Sequence, residues 1–228
     1  MKFGVVVFPG SNCEHDAYYV LKKVLSAEVF YIWHKETSLR LFDAIILPGG
    51  FSYGDYLRAG AVARFSPVMK EIVEYAKDGG PVLGICNGFQ ILLEAGLLPG
   101  ALIANAGLRF LCQDVFLKVG STDSAFTKTY TEGQVLKMPI AHYHGNYFAD
   151  EEVLKCLQDE DRIAFQYSSA EGDISEQYNP NGSKLNIAGI FNENKNVLGM
   201  MPHPERAAEK ILSSEDGLGI FKSLLENN

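Results

Sequence analysis

Apolar residues in the N-terminal half gather into short unbroken runs, at residues 3–8, 29–33, 44–47 and 82–85, instead of alternating with polar ones. A strand with one wet face alternates, so unbroken runs predict strands covered on both faces. Between them the apolar spacing predicts helices near residues 15–25, 67–77 and 87–94. Ser66-Pro67 marks the start of the second helix, with Ser66 as cap and Pro67 in the first position. Strand and helix in alternation predict an α/β fold, a mainly parallel sheet with helices on both faces. Beyond Asn105 the pattern changes to hairpin-like strands at 114–119, 163–167, 187–190 and 197–200, followed by a helix at 217–225. Additional antiparallel strands are therefore expected in the C-terminal half. No linker, repeat or low-complexity segment interrupts the 228 residues, so residues 1–228 read as one domain with ample material for a core.

At residues 82–92, Val-Leu-Gly-Ile-Cys-Asn-Gly-Phe-Gln-Ile-Leu, a cysteine stands where a short apolar strand meets an apolar helix. An abrupt strand-to-helix corner strains its central residue, and side chains two positions away would collide there. Gly84 and Gly88 remove those side chains. Cys86 then stands at the first turn of a helix, whose unpaired N–H groups and positive dipole end favour a thiolate. A buried structural cysteine with glycines for close packing is the competing reading of this segment.

His203 lies between two prolines in Met-Pro-His-Pro-Glu-Arg, residues 201–206. The prolines stiffen the chain and bias His203 towards an extended conformation. In extended chain, residues two apart share a side, so Glu205 can reach the imidazole and select its tautomer. This is a base with its orienter, or else a loop histidine and an acid in a helix's first turn. Together with Cys86 it completes nucleophile, base and orienter, the arrangement for covalent catalysis by a thiol. The third piece is the strand at 44–47 running into Pro48-Gly49-Gly50-Phe51. It is either a plain turn or a place where backbone N–H groups approach an oxyanion, with the N–H of Asn87 as second donor. Neither GxxxxGK[ST] nor GxGxxG is present, which disfavours a phosphate cradle.

Composition narrows the partners. The net charge is −8 with basic residues scattered, against nucleic acid or an anionic membrane. No apolar run nears the ~20 residues of a membrane span, and the first apolar run is too short for a secretory signal, so cytoplasm is expected. Four cysteines without a CxxC argue against a disulfide framework or thiolate metal site. Cys13, Cys112 and Cys156 read as buried thiols, with Cys13 the one that could face the cleft. His142 and His144 lack a third metal ligand at convincing spacing, which favours a core or interface role.

The three pieces together resemble the class I glutamine amidotransferases, whose Cys-His-Glu triad releases ammonia from glutamine on a flavodoxin-like fold. Residues 48–61 (Pro-Gly-Gly-Phe-Ser-Tyr-Gly-Asp-Tyr-Leu-Arg-Ala-Gly-Ala) narrow the resemblance, as do Pro9-Gly10-Ser11-Asn12-Cys13, Asn179-Pro180-Asn181-Gly182-Ser183 and Met201 to Ala207. All are similar to the glutaminase subunits of phosphoribosylformylglycinamidine synthases in purine biosynthesis. The chain departs from that pattern at Ala141-His142-Tyr143-His144-Gly145, where such relatives often carry a small residue and then Glu between the His and the Gly. The resemblance implies Cys86, His203 and Glu205 as catalytic residues, and Gly50, Phe51, Asn87 and Gln90 at the substrate. It implies no metal and no cofactor in this chain, ATP and magnesium belonging to the partner synthetase subunit. Its partners would be that large subunit and a small bridging subunit, with glutaminase activity low until they dock. Two alternatives are an amidotransferase subunit serving another synthetase and a cysteine hydrolase sharing the strand-Cys-helix corner.

Overall fold

In the computed structural model, which describes residues 1–226, strands form where the unbroken apolar runs lie. They are β1 (Lys2–Val7), β2 (Glu28–Trp33), β3 (Ala44–Leu47) and β4 (Val82–Ile85). β3 and β4 are buried at every position, whereas β2, at the sheet edge, buries only Val29 and Ile32. Between them run α1 (Glu14–Tyr19), which loosens into a π-helical turn at Val20–Val24, and α2 (Pro67–Lys77), while α3 (Asn87–Glu94) follows β4. Ser66 holds the cap position of α2, but its hydroxyl does not cap. It bonds instead to the Tyr53 hydroxyl at 2.8 Å, which also meets His34 Nδ1 at 2.8 Å.

The chain passes from β1 outward to β2, then returns across β1 to β3 and on to β4, all parallel. Right-handed crossovers running in opposite directions place α1 and α2 on opposite faces of the sheet. The reversal between β1 and β3 leaves a crevice outside their carboxyl ends, where open α/β sheets bind ligands.

The C-terminal half adds β5 (Ala101–Ile103), β6 (Leu111–Val119), β7 (Val135–His142), β8 (Asn146–Phe148), α4 (Glu151–Asp159), β9 (Ile163–Ser168), β10 (Ile187–Phe191), β11 (Val197–Met200) and α5 (Leu218–Leu225). One nine-stranded sheet results, in the order β2-β1-β3-β4-β11-β10-β9-β6-β7, with β5 and β8 paired separately. β11 is antiparallel to β10, as a hairpin requires, yet parallel to β4. The antiparallel half is thereby joined to the parallel half beside the cysteine strand.

Four elements lay outside the expectation: the short paired strands β5 and β8, the edge strand β7 and the helix α4. β7 contains Pro139, which argues against a strand in sequence but is tolerated at the sheet edge that β7 occupies. α4 begins at Asp150, whose Oδ1 accepts from the Val153 N–H at 2.9 Å, with Glu151 and Glu152 in its first turn. Its start signal was present in the sequence. Among the described residues no helix is long and apolar enough to cross a membrane.

Candidate active site

Cys86 sits at the turn from β4 into α3 with φ +50° and ψ −103°, a left-handed conformation costly for any residue with a Cβ. The corner closes only because its neighbours are glycines. A Cβ on Gly88 would lie 2.0 Å from the Leu47 carbonyl oxygen, and one on Gly84 would lie 2.8 Å from the Gly88 carbonyl carbon. The Cys86 N–H donates to Met200 O at 2.7 Å, tying the corner to the end of β11. The sulfur lies 3.7 Å from Ala141 O on β7.

β11 runs directly into the segment that carries His203. The His203 N–H donates to Pro139 O at 2.9 Å, so the strand that the sequence pattern did not predict anchors the histidine. His203 (φ −102°, ψ 89°) avoids the helical region, as a residue before proline should, but stops short of full extension. The chain is not extended on to Glu205 either, because Pro204–Arg206 closes a single 3₁₀ turn. Proline at its first position already has helical φ. The turn still delivers the expected contact, with His203 Nδ1 donating to Glu205 Oε1 at 2.5 Å. A carboxylate only accepts, so Nδ1 carries the proton. Nε2 is buried without a hydrogen-bond partner. A Cβ on Gly49 would lie 2.8 Å from His203 Cε1 and 3.4 Å from Cys86 Cβ, so ring and cysteine flank one point beside the loop after β3. Burial opposes charging of the ring, but the Glu205 carboxylate and the Cys86 sulfur outweigh it and push the His203 pKa up to about 10. The geometry and charge of this pair suit proton exchange with the cysteine.

The loop after β3 is fixed by Asn87. Its Oδ1 accepts from the Ser52 N–H at 3.0 Å, and its Nδ2 donates to Asp55 Oδ1 at 3.0 Å and to Gln90 Oε1 at 2.8 Å. Gln90 Nε2 in turn donates to His144 O at 2.7 Å. The Asn87 side chain is thus an internal brace, while its backbone N–H opens α3, where no intrahelical acceptor exists. Gln90 shapes the wall with a tethered amide. An antiparallel bridge between Ser11 and Gly50 joins the loops after β1 and β3.

These pieces surround a cavity of about 240 Å³ lined by Gly50, Phe51, Cys86, Gln90 and His203, all expected at the site. That is below the ~300–1,000 Å³ of drug-sized pockets and suits a small metabolite. Asn12, Cys13, Asp55, Phe110, His142, His144 and Arg206 also line it. Cys13 does face the cleft, whereas Cys112 is exposed and Cys156 half-buried, contrary to the expectation of buried thiols. Cys112 lies on β6 next to the edge strand, where one face meets solvent. Arg206 Nη2 donates to Cys13 Sγ at 3.1 Å, and Arg206 Nε donates to Asp16 Oδ2 at 3.1 Å. Burial nevertheless dominates at Cys13 and pushes its pKa up to about 12. Arg206 could have been found in sequence as the residue after Glu205; Phe110 carries no local signal.

His142 is buried on β7 with its Nδ1 3.1 Å from Asn105 Oδ1. Burial, aided by the neighbouring His203, lowers its pKa to about 4, so it is a neutral core imidazole at physiological pH. Among the described residues, ligand atoms of Cys13, His203 and Glu205 fall within 4.8 Å of one another. The Arg206 cation on the sulfur and the proton held between His203 and Glu205 disfavour a metal there.

A family model described as a CobB/CobQ-like glutamine amidotransferase domain matches residues 1–217, and the chain belongs to that family. The phosphoribosylformylglycinamidine synthase subunit PurQ of Salinibacter ruber is 55% identical over 226 residues, 99% of this chain and 96% of that protein. PurQ of Moorella thermoacetica is 57% identical over 226 residues with the same coverage. A chain of the structure of PurLQS from Thermotoga maritima superposes with a TM-score of 0.87 at 42% identity, covering 98% of this chain and 97% of its own. Both of these relatives, more than half identical over nearly the whole chain, are PurQ subunits.

Proposed function

We propose that this chain is the glutaminase subunit of a phosphoribosylformylglycinamidine synthase, hydrolysing glutamine to glutamate and handing the ammonia to a synthetase subunit. One observation carries the reading: a cysteine on a strained strand-to-helix corner meets a buried histidine held by a carboxylate, in a cavity of amino-acid size. Relatives more than half identical over nearly the whole chain support the choice of synthetase.

In this reading Cys86 attacks the carboxamide carbon of glutamine. The developing oxyanion is received by backbone N–H groups at Gly50, Phe51 and Asn87. His203, held by Glu205, gives its proton to the leaving nitrogen, and ammonia departs from a γ-glutamyl thioester. The same imidazole then takes a proton from water, which hydrolyses the thioester and frees glutamate. The acceptor is formylglycinamide ribonucleotide, activated with ATP and magnesium on the large synthetase subunit, with a small bridging subunit completing a cytoplasmic complex. The chain itself supplies neither cofactor nor metal.

The test is nitrogen transfer. Amide-labelled glutamine is supplied to a synthetase preparation that otherwise requires free ammonia, with and without this chain. Label is expected in the formylglycinamidine product only when the chain is present. No transfer from folded protein overturns the assignment.

A further inference from the structure

The cavity contains a charged group that the chemistry above leaves idle. Among the described residues, Asp55 is the one carboxylate lining it, alongside Cys86 and Gln90. Its placement is built. Tyr53, Asp55 and Leu57 all have positive φ, at 53°, 53° and 72°, although none is glycine. Such clusters of left-handed residues persist only where the surroundings fix them, and they concentrate at ligand sites.

One oxygen of Asp55 is used by the protein, Oδ1 accepting from Asn87 Nδ2 at 3.0 Å. Asn87 follows the nucleophile directly, and its amide is locked on three sides by Ser52, Asp55 and Gln90. The carboxylate is therefore held at a fixed reach from Cys86 by a short, rigid chain of bonds. It forms no ion pair among the described residues; burial raises its pKa, and the Asn87 hydrogen bond and His144 pull the other way. Arg206, the fixed cation lining the cavity, is engaged by Asp16 and Cys13. A half-buried carboxylate with one oxygen unengaged is an acceptor awaiting a cationic donor.

Resting on the glutaminase reading, we propose that Asp55 binds the α-ammonium group of the substrate and so makes the site select a free α-amino acid over amides that lack the amine. The reacting carboxamide is fixed at one end by Cys86 and the N–H groups. The ammonium salt bridge then fixes the other end, and with it the approach of the carboxamide carbon to sulfur.

The test uses Asp55→Asn, in which the side-chain oxygen can still accept from Asn87 while the charge is gone. Binding is titrated calorimetrically in the full-length Cys86→Ser chain, with and without Asp55→Asn, using glutamine and glutaramate, the same molecule without its α-amine. With Asp55 intact, glutamine is expected to bind roughly 10- to 100-fold more tightly than glutaramate, the range for a charge-assisted hydrogen bond. In the Asp55→Asn variant that preference collapses to near unity. Asp55→Glu, which keeps the charge, restores part of it. An unchanged preference in Asp55→Asn overturns the proposal, as does a site that shows no preference with Asp55 intact. Loss of affinity for both ligands equally would also overturn it, assigning Asp55 to bracing alone. Ammonia release by the Cys86-containing chain is measured separately and reads the glutaminase assignment, so the two can fail independently.

Discussion

Two cysteines face one cavity, and the structure says which of them reacts. Cys13 is buried and its thiol is pushed up to about 12, against an ordinary value of 9.0, despite the guanidinium of Arg206 on its sulfur. At pH 8 a thiol of pKa about 12 is ionised to roughly one part in ten thousand, about a thousandfold less than an ordinary one. A more basic thiolate is more nucleophilic, and a Brønsted coefficient of about 0.4–0.5 recovers roughly 20-fold of that loss. Cys13 should therefore react roughly 50-fold more slowly than a free thiol, before burial slows it further. Cys86 instead stands at a helix N-terminus with His203 to take its proton. The perturbation is brief exposure to a glutamine-like electrophile at pH 8, followed by peptide mass spectrometry of wild type and Cys86→Ser. Label is expected on Cys86 and on no residue of the variant. A small unselective alkylating agent should instead reach the exposed Cys112 as well. Label from the glutamine-like reagent on Cys13, or persisting in Cys86→Ser, would refute the reasoning, since it would make a thiol other than Cys86 the nucleophile.

Glu205→Gln should lower glutamine turnover by about 10²- to 10⁴-fold, because the imidazole loses the acceptor that fixes its tautomer; turnover within threefold of wild type would remove Glu205 from the mechanism. The same variant tests the linkage. His203 has its pKa raised from 6.5 to about 10, so the stability it contributes is complete below pH 6.5 and is lost as pH rises through 10. The stability gap between wild type and Glu205→Gln, measured by urea unfolding, should shrink across that window, and a gap that widens would contradict the sign. Gly88→Ala would place a methyl 2.0 Å from a backbone carbonyl, which cannot turn aside, and should destabilise the chain by about 1–3 kcal/mol or more with loss of activity. A variant as stable as wild type in denaturant would show that the corner has room.

The parts of the site set by local sequence were legible from neighbouring residues. Unbroken apolar runs located β1, β3 and β4, because burial on both faces leaves no polar period. The glycines around Cys86 declared a strained corner, and prolines around His203 declared a rigid presentation of the base with Glu205 close by. Where local signals were overruled, tertiary contacts did it. Pro139 hid β7, since only its edge position makes proline acceptable, and yet β7 supplies the carbonyl that holds His203. Ser66 sits at a cap position with its hydroxyl drawn to Tyr53. Asn87 turns its amide inward as a brace, and Cys13 and Arg206 meet from nearly opposite ends of the chain.

Sequence alone determined the alternating strands and helices of the N-terminal half, and a nucleophile, base and orienter of the right chemistry, since each depends on residues a few positions apart. Tertiary structure alone decided that the ends of β1, β3, β4 and β11 open on one crevice. Strand neighbours are chosen by long-range pairing, and β11 lies beside β4, a strand from the other half of the chain. That pairing brings a sulfur and an imidazole from distant parts of the chain to a common point.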